Sequence, residues 1–380
     1  MSATSIHEFA FPTSIRFGPG ARREVATHLT SNGRSRPLIV TDRGLAALPV
    51  FERFLGELAD LATATFSGVA GNPVRGQVAA GVAAYKAHGA DSIIGIGGGA
   101  ALDVAKAVAL MASHPGDILE YAWDHPQVRP INAPLPYFVA VPTTAGTGSE
   151  VGRSSVISDD ETHVKKIVFS PALLAKAVFA DPELTVDLPP AITAATGMDA
   201  LTHNVESYLS PAYHPLCDGI ALEGTRIAAR SLATAVREPG NIDARADMMM
   251  SSMMGAIAFQ KDLGAVHSCA HALGTVCDMH HGLANALMID TVLAWNAEAV
   301  PEKFDELAHA VGVGGGAAGF LAWLKALKQE IGIAPGLAKA GVERSAIPRL
   351  VQIATADICH QTNPRPVTAG DFERLFAGAM

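Results

Sequence analysis

Positive charge is scarce in this chain of 380 residues. Lysine and arginine number 28 against 37 aspartates and glutamates, the formal net charge is −9, and no basic block occurs anywhere. Phosphate contacts need clustered cations, so nucleic acid is not an expected partner. Long apolar runs are also missing: no stretch reaches the ~18–20 residues that cross a bilayer, so no membrane association is expected. Residues 1–10 lack a basic start followed by an apolar run and do not read as a secretory signal. Cysteine is rare. Cys217, Cys269, Cys277 and Cys359 show no CxxC spacing and read as free thiols in a reducing cytoplasm.

What is present is a well-buried globular composition, 49% hydrophobic and 17% charged. The length exceeds a single ordinary core, so two domains are expected. The texture changes at Pro189-Pro190, where a helix can begin. The reading is an α/β domain with a parallel sheet over residues 1–188 and an all-helical domain over 189–380.

In the first half, residues 8–17 alternate apolar and polar and read as short edge strands, with Pro12 tolerated only at an edge or between strands. Pro37–Asp42 reads as a buried parallel strand ending in an acid. Asp42 could bind the ribose hydroxyls of a dinucleotide and repel a 2′-phosphate, favouring NAD, or it could cap the following helix. The segment 91–106 is the clearest strand–turn–helix: an apolar run, then Gly97-Gly98-Gly99, then a helix. Glycine lets backbone N–H groups approach an anion, and the helix N-terminus adds partial positive charge, so a pyrophosphate fits there. The order is not GxGxxG. A strand at 137–141 leads to Thr143-Thr144-Ala145-Gly146-Thr147-Gly148, a second hydroxyl- and glycine-rich loop suited to phosphate or ribose. Lys165 and Lys166 precede a short strand near 177–180, and one of them could reach the cofactor.

In the second half, Asp199 and His203 stand four apart in a helical pattern and share a face. A carboxylate and an imidazole so placed can grip one divalent ion. His267, His271, His280 and His281 lie downstream; with His267 and His281 the site would hold one carboxylate and three imidazoles, a set that suits Fe²⁺ or Zn²⁺ better than Mg²⁺ or Ca²⁺. A cysteine ligand from Cys269 or Cys277 is conceivable, although buried cysteine is more often packing. The methionine-rich run 248–254 reads as core filling.

These motifs together resemble the iron-containing (group III) alcohol dehydrogenases. The likeness rests on 97–106, 142–150, 195–203, His267-x3-His271 and His281-Gly282-x2-Asn285, and runs from Phe17-Gly18 to Thr362–Arg365. It implies an N-terminal dinucleotide-binding α/β domain, a C-terminal all-helical domain of the dehydroquinate synthase-like fold, and a cleft holding metal and nicotinamide. It implies that Asp199, His203, His267 and His281 are the metal ligands and that His271 lines the site and relays protons. Asp42, Gly97, Gly98, Gly99, Asp103, Thr143, Thr144, Thr147 and Lys165 fall at positions that hold NAD in the family. Ala100 replaces a serine common after the three glycines, which would remove one hydroxyl contact to the phosphates. A homodimer is also implied.

The chemistry implied is Lewis-acid activation of an alcohol by Fe²⁺, or Zn²⁺ in its place, with hydride passing to the nicotinamide. Segments 209–222 and 258–264 look like the 4-hydroxybutyrate dehydrogenase branch, which implies a short ω-hydroxy acid and its semialdehyde. Arg153 and Lys261 are candidate cations for such a carboxylate. A general primary alcohol or diol dehydrogenase, a maleylacetate reductase, and a catalytically silent NAD-binding homologue are the other readings.

Overall fold

The computed structural model describes residues 11, 13–162, 164–333 and 336–380. The chain forms two compact units: one takes in Pro12–Thr144 and Gly148–Thr185, the other Val186–Met380 with the short stretch Ala145–Thr147.

The first unit is built on strands β1 (Ser14–Phe17), β2 (Pro37–Asp42), β3 (Ala64–Val69), β4 (Ser92–Gly97), β5 (Tyr137–Pro142), β6 (Ser154–Ser158), β7 (Lys165–Phe169) and β8 (Ala177–Ala180). Six of them form one parallel sheet in the order β1-β8-β5-β4-β2-β3. Its helices are α1 (Val25–Ser31), α2 (Arg43–Ala46), α3 (Pro49–Glu57), α4 (Arg75–His88) and α5 (Gly99–Ser113). Ile39, Ile94, Ile96, Val139, Val141 and Phe179 fill one face of the sheet, where Val25, Leu29, Phe51 and Phe54 complete a core. On the other face Gly95 leaves room for α5: a Cβ there would come within 2.9 Å of the Ala105 side chain. Burial on both faces is why the strands read as apolar runs rather than alternating ones.

The order of strands makes β2 and β4 neighbours whose chains leave in opposite directions, β2 towards β3 and β4 towards β5. Open parallel sheets bind ligands outside the carboxyl ends of the strands at such a switch point. Asp42 and Gly97 end those two strands.

The expected strand near 177–180 is β8, and Lys165 and Lys166 precede it in the chain. Not expected from the sequence is that residues 165–169 are themselves a strand, β7, paired antiparallel with β6. The pair was hidden because β6 and β7 carry mixed polar and apolar residues without clean alternation. Residues 8–10 and 12 of the expected edge strands lie outside the described residues; among the described residues β1 is an edge strand of the sheet, paired with β8.

The second unit is helical: α6 (Pro190–Leu209), α7 (Pro215–Arg237), α8 (Ile242–Ala258), α9 (Ala265–Cys277), α10 (His281–Ala297), α11 (Pro301–Ala310), α12 (Gly316–Glu330), α13 (Ile347–Ala356) and α14 (Ala369–Gly378). Pro190 begins α6, where its missing N–H is harmless, and Pro211 follows its end. Every residue of α6 from Thr193 to Leu209 is buried, with α7, α8 and α10 packed around it. A helix surrounded in this way carries its polar side chains into the interior. No helix among the described residues is long and apolar enough to cross a membrane.

Candidate functional site

Asp199 and His203 lie one turn apart on α6 and both are buried. α9 brings His267 and the start of α10 brings His281 to the same place. The Nε2 atoms of the three imidazoles converge on one carboxylate oxygen: Asp199 Oδ1 is 4.0 Å from His203, 3.9 Å from His267 and 3.4 Å from His281. One ligand atom from each of the four residues lies within 4.8 Å of the others. These are distances that a single divalent ion, bonding each atom at about 2.0–2.2 Å, can bridge.

The electrostatics fit a cation. Burial lowers His203 to about 4, with the His267 ring stacked on it at 4.6 Å, so its imidazole is neutral, as a ligand must be. Asn285, one turn into α10, donates from Nδ2 to Asp199 Oδ1 at 2.7 Å and lies 3.3 Å from the Nε2 atoms of His267 and His281. With one of its two N–H protons directed at Asp199, the amide can donate the other to one of those nitrogens. Glu206, also on α6, accepts from His267 Nδ1 at 2.5 Å and from the Val266 N–H at 2.7 Å. Burial pushes its carboxyl up to about 7 against the backbone N–H groups that pull it down.

His271 sits beside this group, stacked on His281 with ring centroids 5.4 Å apart. Its Nδ1 is 2.7 Å from Asp357 Oδ2. Burial disfavours the Asp357 charge, but the His271 imidazole, the Cys359 N–H and the Ser268 hydroxyl outweigh it and hold the carboxyl well below its usual range. His271, Asp357 and Cys359 offer ligand atoms within 4.8 Å of one another, yet the hydrogen bonds are those of a histidine–carboxylate pair. Cys269 and Cys277 are not members of either grouping.

In the α/β unit, Gly97 takes φ +142°, and a Cβ there would press within 2.7 Å of Ala101 and 3.1 Å of Asp42 Oδ2. Only glycine lets β4 turn into α5 beside that carboxylate. Gly98 precedes the first helical residue, Gly99, and faces Thr144. Thr143 donates its N–H to the Gly97 carbonyl at 3.0 Å. Asp42, the three glycines, Thr143 and Thr144 therefore gather at the carboxyl ends of β2, β4 and β5, with the positive end of the 15-residue α5 among them. Asp42 also caps α2, accepting from the Leu45 N–H at 2.8 Å, so both sequence readings of this residue are compatible with its place.

Other candidates lie differently. Asp103 accepts from the Ser149 hydroxyl at 2.6 Å and the Val156 N–H at 3.0 Å, with buried Lys106 at 3.7 Å, which ties α5 to β6. Lys165 opens β7 opposite Ser158. Thr147 falls in the stretch that clusters with the helical unit. Lys261 is buried and ion-paired with Asp218, and the Arg153 guanidinium lies 5.2 Å from the Phe169 ring centre.

Sequence reasoning assigned no role to Glu206, Asn285 or Asp357. Glu206 carried a usable signal, since Asp199, His203 and Glu206 repeat at helical spacing along one face. Asp357 is 86 residues from its partner His271, and nothing local marks it.

Comparison with known proteins shows the family. Residues 12–182 match the family model of iron-containing alcohol dehydrogenase, and residues 193–380 match that of the C-terminal part of the Fe-containing alcohol dehydrogenase family. The chain is 37% identical to 4-hydroxybutyrate dehydrogenase of Cupriavidus necator over 97% of its own length and 98% of that protein's. A crystal structure of 1,3-propanediol oxidoreductase superposes with a TM-score of 0.95 at 36% identity, covering 99% of this chain and 100% of that one. Sulfoacetaldehyde reductase from Bifidobacterium kashiwanohense, solved in complex with NAD+, gives 0.89 at 28% identity and 99% coverage of both chains.

Proposed function

The chain belongs to the iron-containing alcohol dehydrogenase family, and on that premise we propose that it interconverts 4-hydroxybutyrate and succinic semialdehyde with NAD(H). The observation that carries the chemistry is the convergence of three Nε2 atoms on Asp199 Oδ1. Asp199, His203, His267 and His281 are the proposed ligands of Fe²⁺, with Zn²⁺ an alternative. A divalent ion there supplies the Lewis acidity that makes an alcohol hydroxyl acidic, and NAD+ supplies the hydride acceptor. His271, its Nδ1 donating to Asp357, keeps Nε2 as the face that takes up the alcohol proton and returns it to the aldehyde in reverse.

Cofactor recognition is assigned to Gly97, Gly98, Gly99, Thr143 and Thr144 for the pyrophosphate and to Asp42 for the ribose, where its charge disfavours a 2′-phosphate. Thr147 and Lys165 complete the proposed NAD contacts. Asp103 would act on them indirectly, through Ser149. The proposed division is residues 1–188 for the dinucleotide and 189–380 for the metal. The enzyme is further proposed to be a cytoplasmic homodimer; its four free cysteines support a reducing compartment.

The hydroxy-acid assignment is supported by the likeness to 4-hydroxybutyrate dehydrogenase. A second reading, a primary alcohol or diol, is favoured by the Lys261–Asp218 ion pair, which engages one of the two cations considered for a substrate carboxylate. Anaerobic NADH oxidation by the Fe²⁺-loaded protein separates them. Succinic semialdehyde should be turned over with at least tenfold higher kcat/KM than butyraldehyde. Equal rates, or a preference for butyraldehyde, would leave the alcohol or diol reading.

A further inference from the structure

The carboxylate of Glu206 is buried and surrounded by donors from the start of α9. Its Oε1 accepts the Val266 N–H at 2.7 Å, and its Oε2 lies 3.3 Å from the His267 backbone nitrogen and 2.5 Å from His267 Nδ1. α9 has no side-chain cap of its own, because Gly264 precedes it. The open N–H groups of its first turn are taken by side chains from elsewhere: Ala265 by Asn363 Oδ1 at 3.1 Å, Val266 and His267 by Glu206. Gly264 is small for the same reason, since a Cβ there would come within 2.6 Å of Glu206 Oε1 and 2.9 Å of Asn363 Oδ1.

The geometry points to Glu206 as the positioning residue that makes His267 a metal ligand through Nε2. A carboxylate has about four lone-pair sites, so beside the backbone N–H groups it has acceptor capacity left for Nδ1, and Nδ1 carries the imidazole proton. The other nitrogen is then bare, in agreement with the Asn285 Nδ2 donor 3.3 Å from it. The carboxylate also holds the ring plane and raises the donor strength of Nε2, as outer carboxylates do for ligating histidines generally. Glutamine cannot reproduce this. With one acceptor oxygen, it must turn its NH₂ towards either Val266 N–H or His267 Nδ1, and the second choice puts the imidazole proton on Nε2, where it blocks ligation.

This inference rests on the proposed metal site, and its test reads metal, not turnover. Metal-free wild type, Glu206→Gln, Asn363→Ala and Asp199→Ala are titrated with Co²⁺ against a chromophoric chelator, and the Co²⁺ ligand-field spectrum is recorded. Glu206→Gln should weaken Co²⁺ binding by about 10- to 100-fold and alter the spectrum. Asn363→Ala removes a cap from the same helix end without touching His267 Nδ1, so it should lower thermal stability yet keep Co²⁺ affinity within about threefold of wild type. If Glu206→Gln does not fold, Glu206→Asp, which withdraws the carboxylate by one methylene, should show the same loss. Wild-type affinity and spectrum in the folded Glu206 variant would overturn the inference, as would an equal loss in Asn363→Ala. If Asp199→Ala binds Co²⁺ as tightly as wild type, the metal site itself is wrong and both readings fall.

Discussion

The Asp357 carboxyl is partly buried, yet the His271 ring, the Cys359 N–H and the Ser268 hydroxyl keep it ionised, with a pKa well below the ordinary range. The sign of its effect on stability follows. As pH falls, the unfolded chain takes the proton first, near the ordinary value of about 3.9, while the folded carboxyl still resists it. Its stabilisation is complete above that value and drains away as the pH drops through the folded pKa. Asp357→Asn should therefore cost about 2 kcal/mol at neutral pH, the worth of hydrogen bonds to a charged group. The difference from wild type should shrink below about pH 4. Urea melts across pH check this; a difference that stays constant into acid would contradict it. Asp199 and His203 were legible because both sit on one helix within a single turn. Asp357 was not, because its meaning comes from a contact 86 residues away in sequence.

At the scale of elements, the crossing of α10 over α6 sets the place of His281. The next residue, Gly282, lies against α6: a Cβ would overlap the Ala195 carbonyl and come within 3.3 Å of Asp199 Cβ. Gly282→Ala should push α10 away, costing about 1–3 kcal/mol as overpacking. It should also weaken metal binding, because His281 moves with its helix. Urea melts with a parallel metal titration test the two effects together; an alanine variant with wild-type stability and affinity would show that the helices can separate freely. The pattern His281-Gly282-x2-Asn285 was visible in the sequence, but a glycine after a histidine does not say which backbone approaches it. The antiparallel β6–β7 pair was missed at this scale, since its strands lack the apolar runs that marked the parallel sheet.

At the scale of the molecule, the proposed metal would bind the folded helical unit and not an unfolded chain, in which the four proposed ligands are scattered over 83 positions, from Asp199 to His281. Binding must then stabilise the fold by mass action. Zn²⁺ at a thousandfold excess over its Kd should add about 4 kcal/mol to unfolding, and Asp199→Ala should abolish that increment. Calorimetry with and without a chelator reads both; an increment that survives in Asp199→Ala would place the ion elsewhere. The sequence by itself determined the class of fold, because apolar strand runs and helical spacing are local consequences of burial. It also determined which residue types were available for a metal and a phosphate, because those motifs are short and contiguous. Only the tertiary structure decided that three Nε2 atoms meet one oxygen of Asp199, that Glu206 and Asp357 stand behind two histidines, and that Lys261 is held by Asp218. Each of those is a relation between helices, set by how closely their side chains let them pack, and no local pattern contains it.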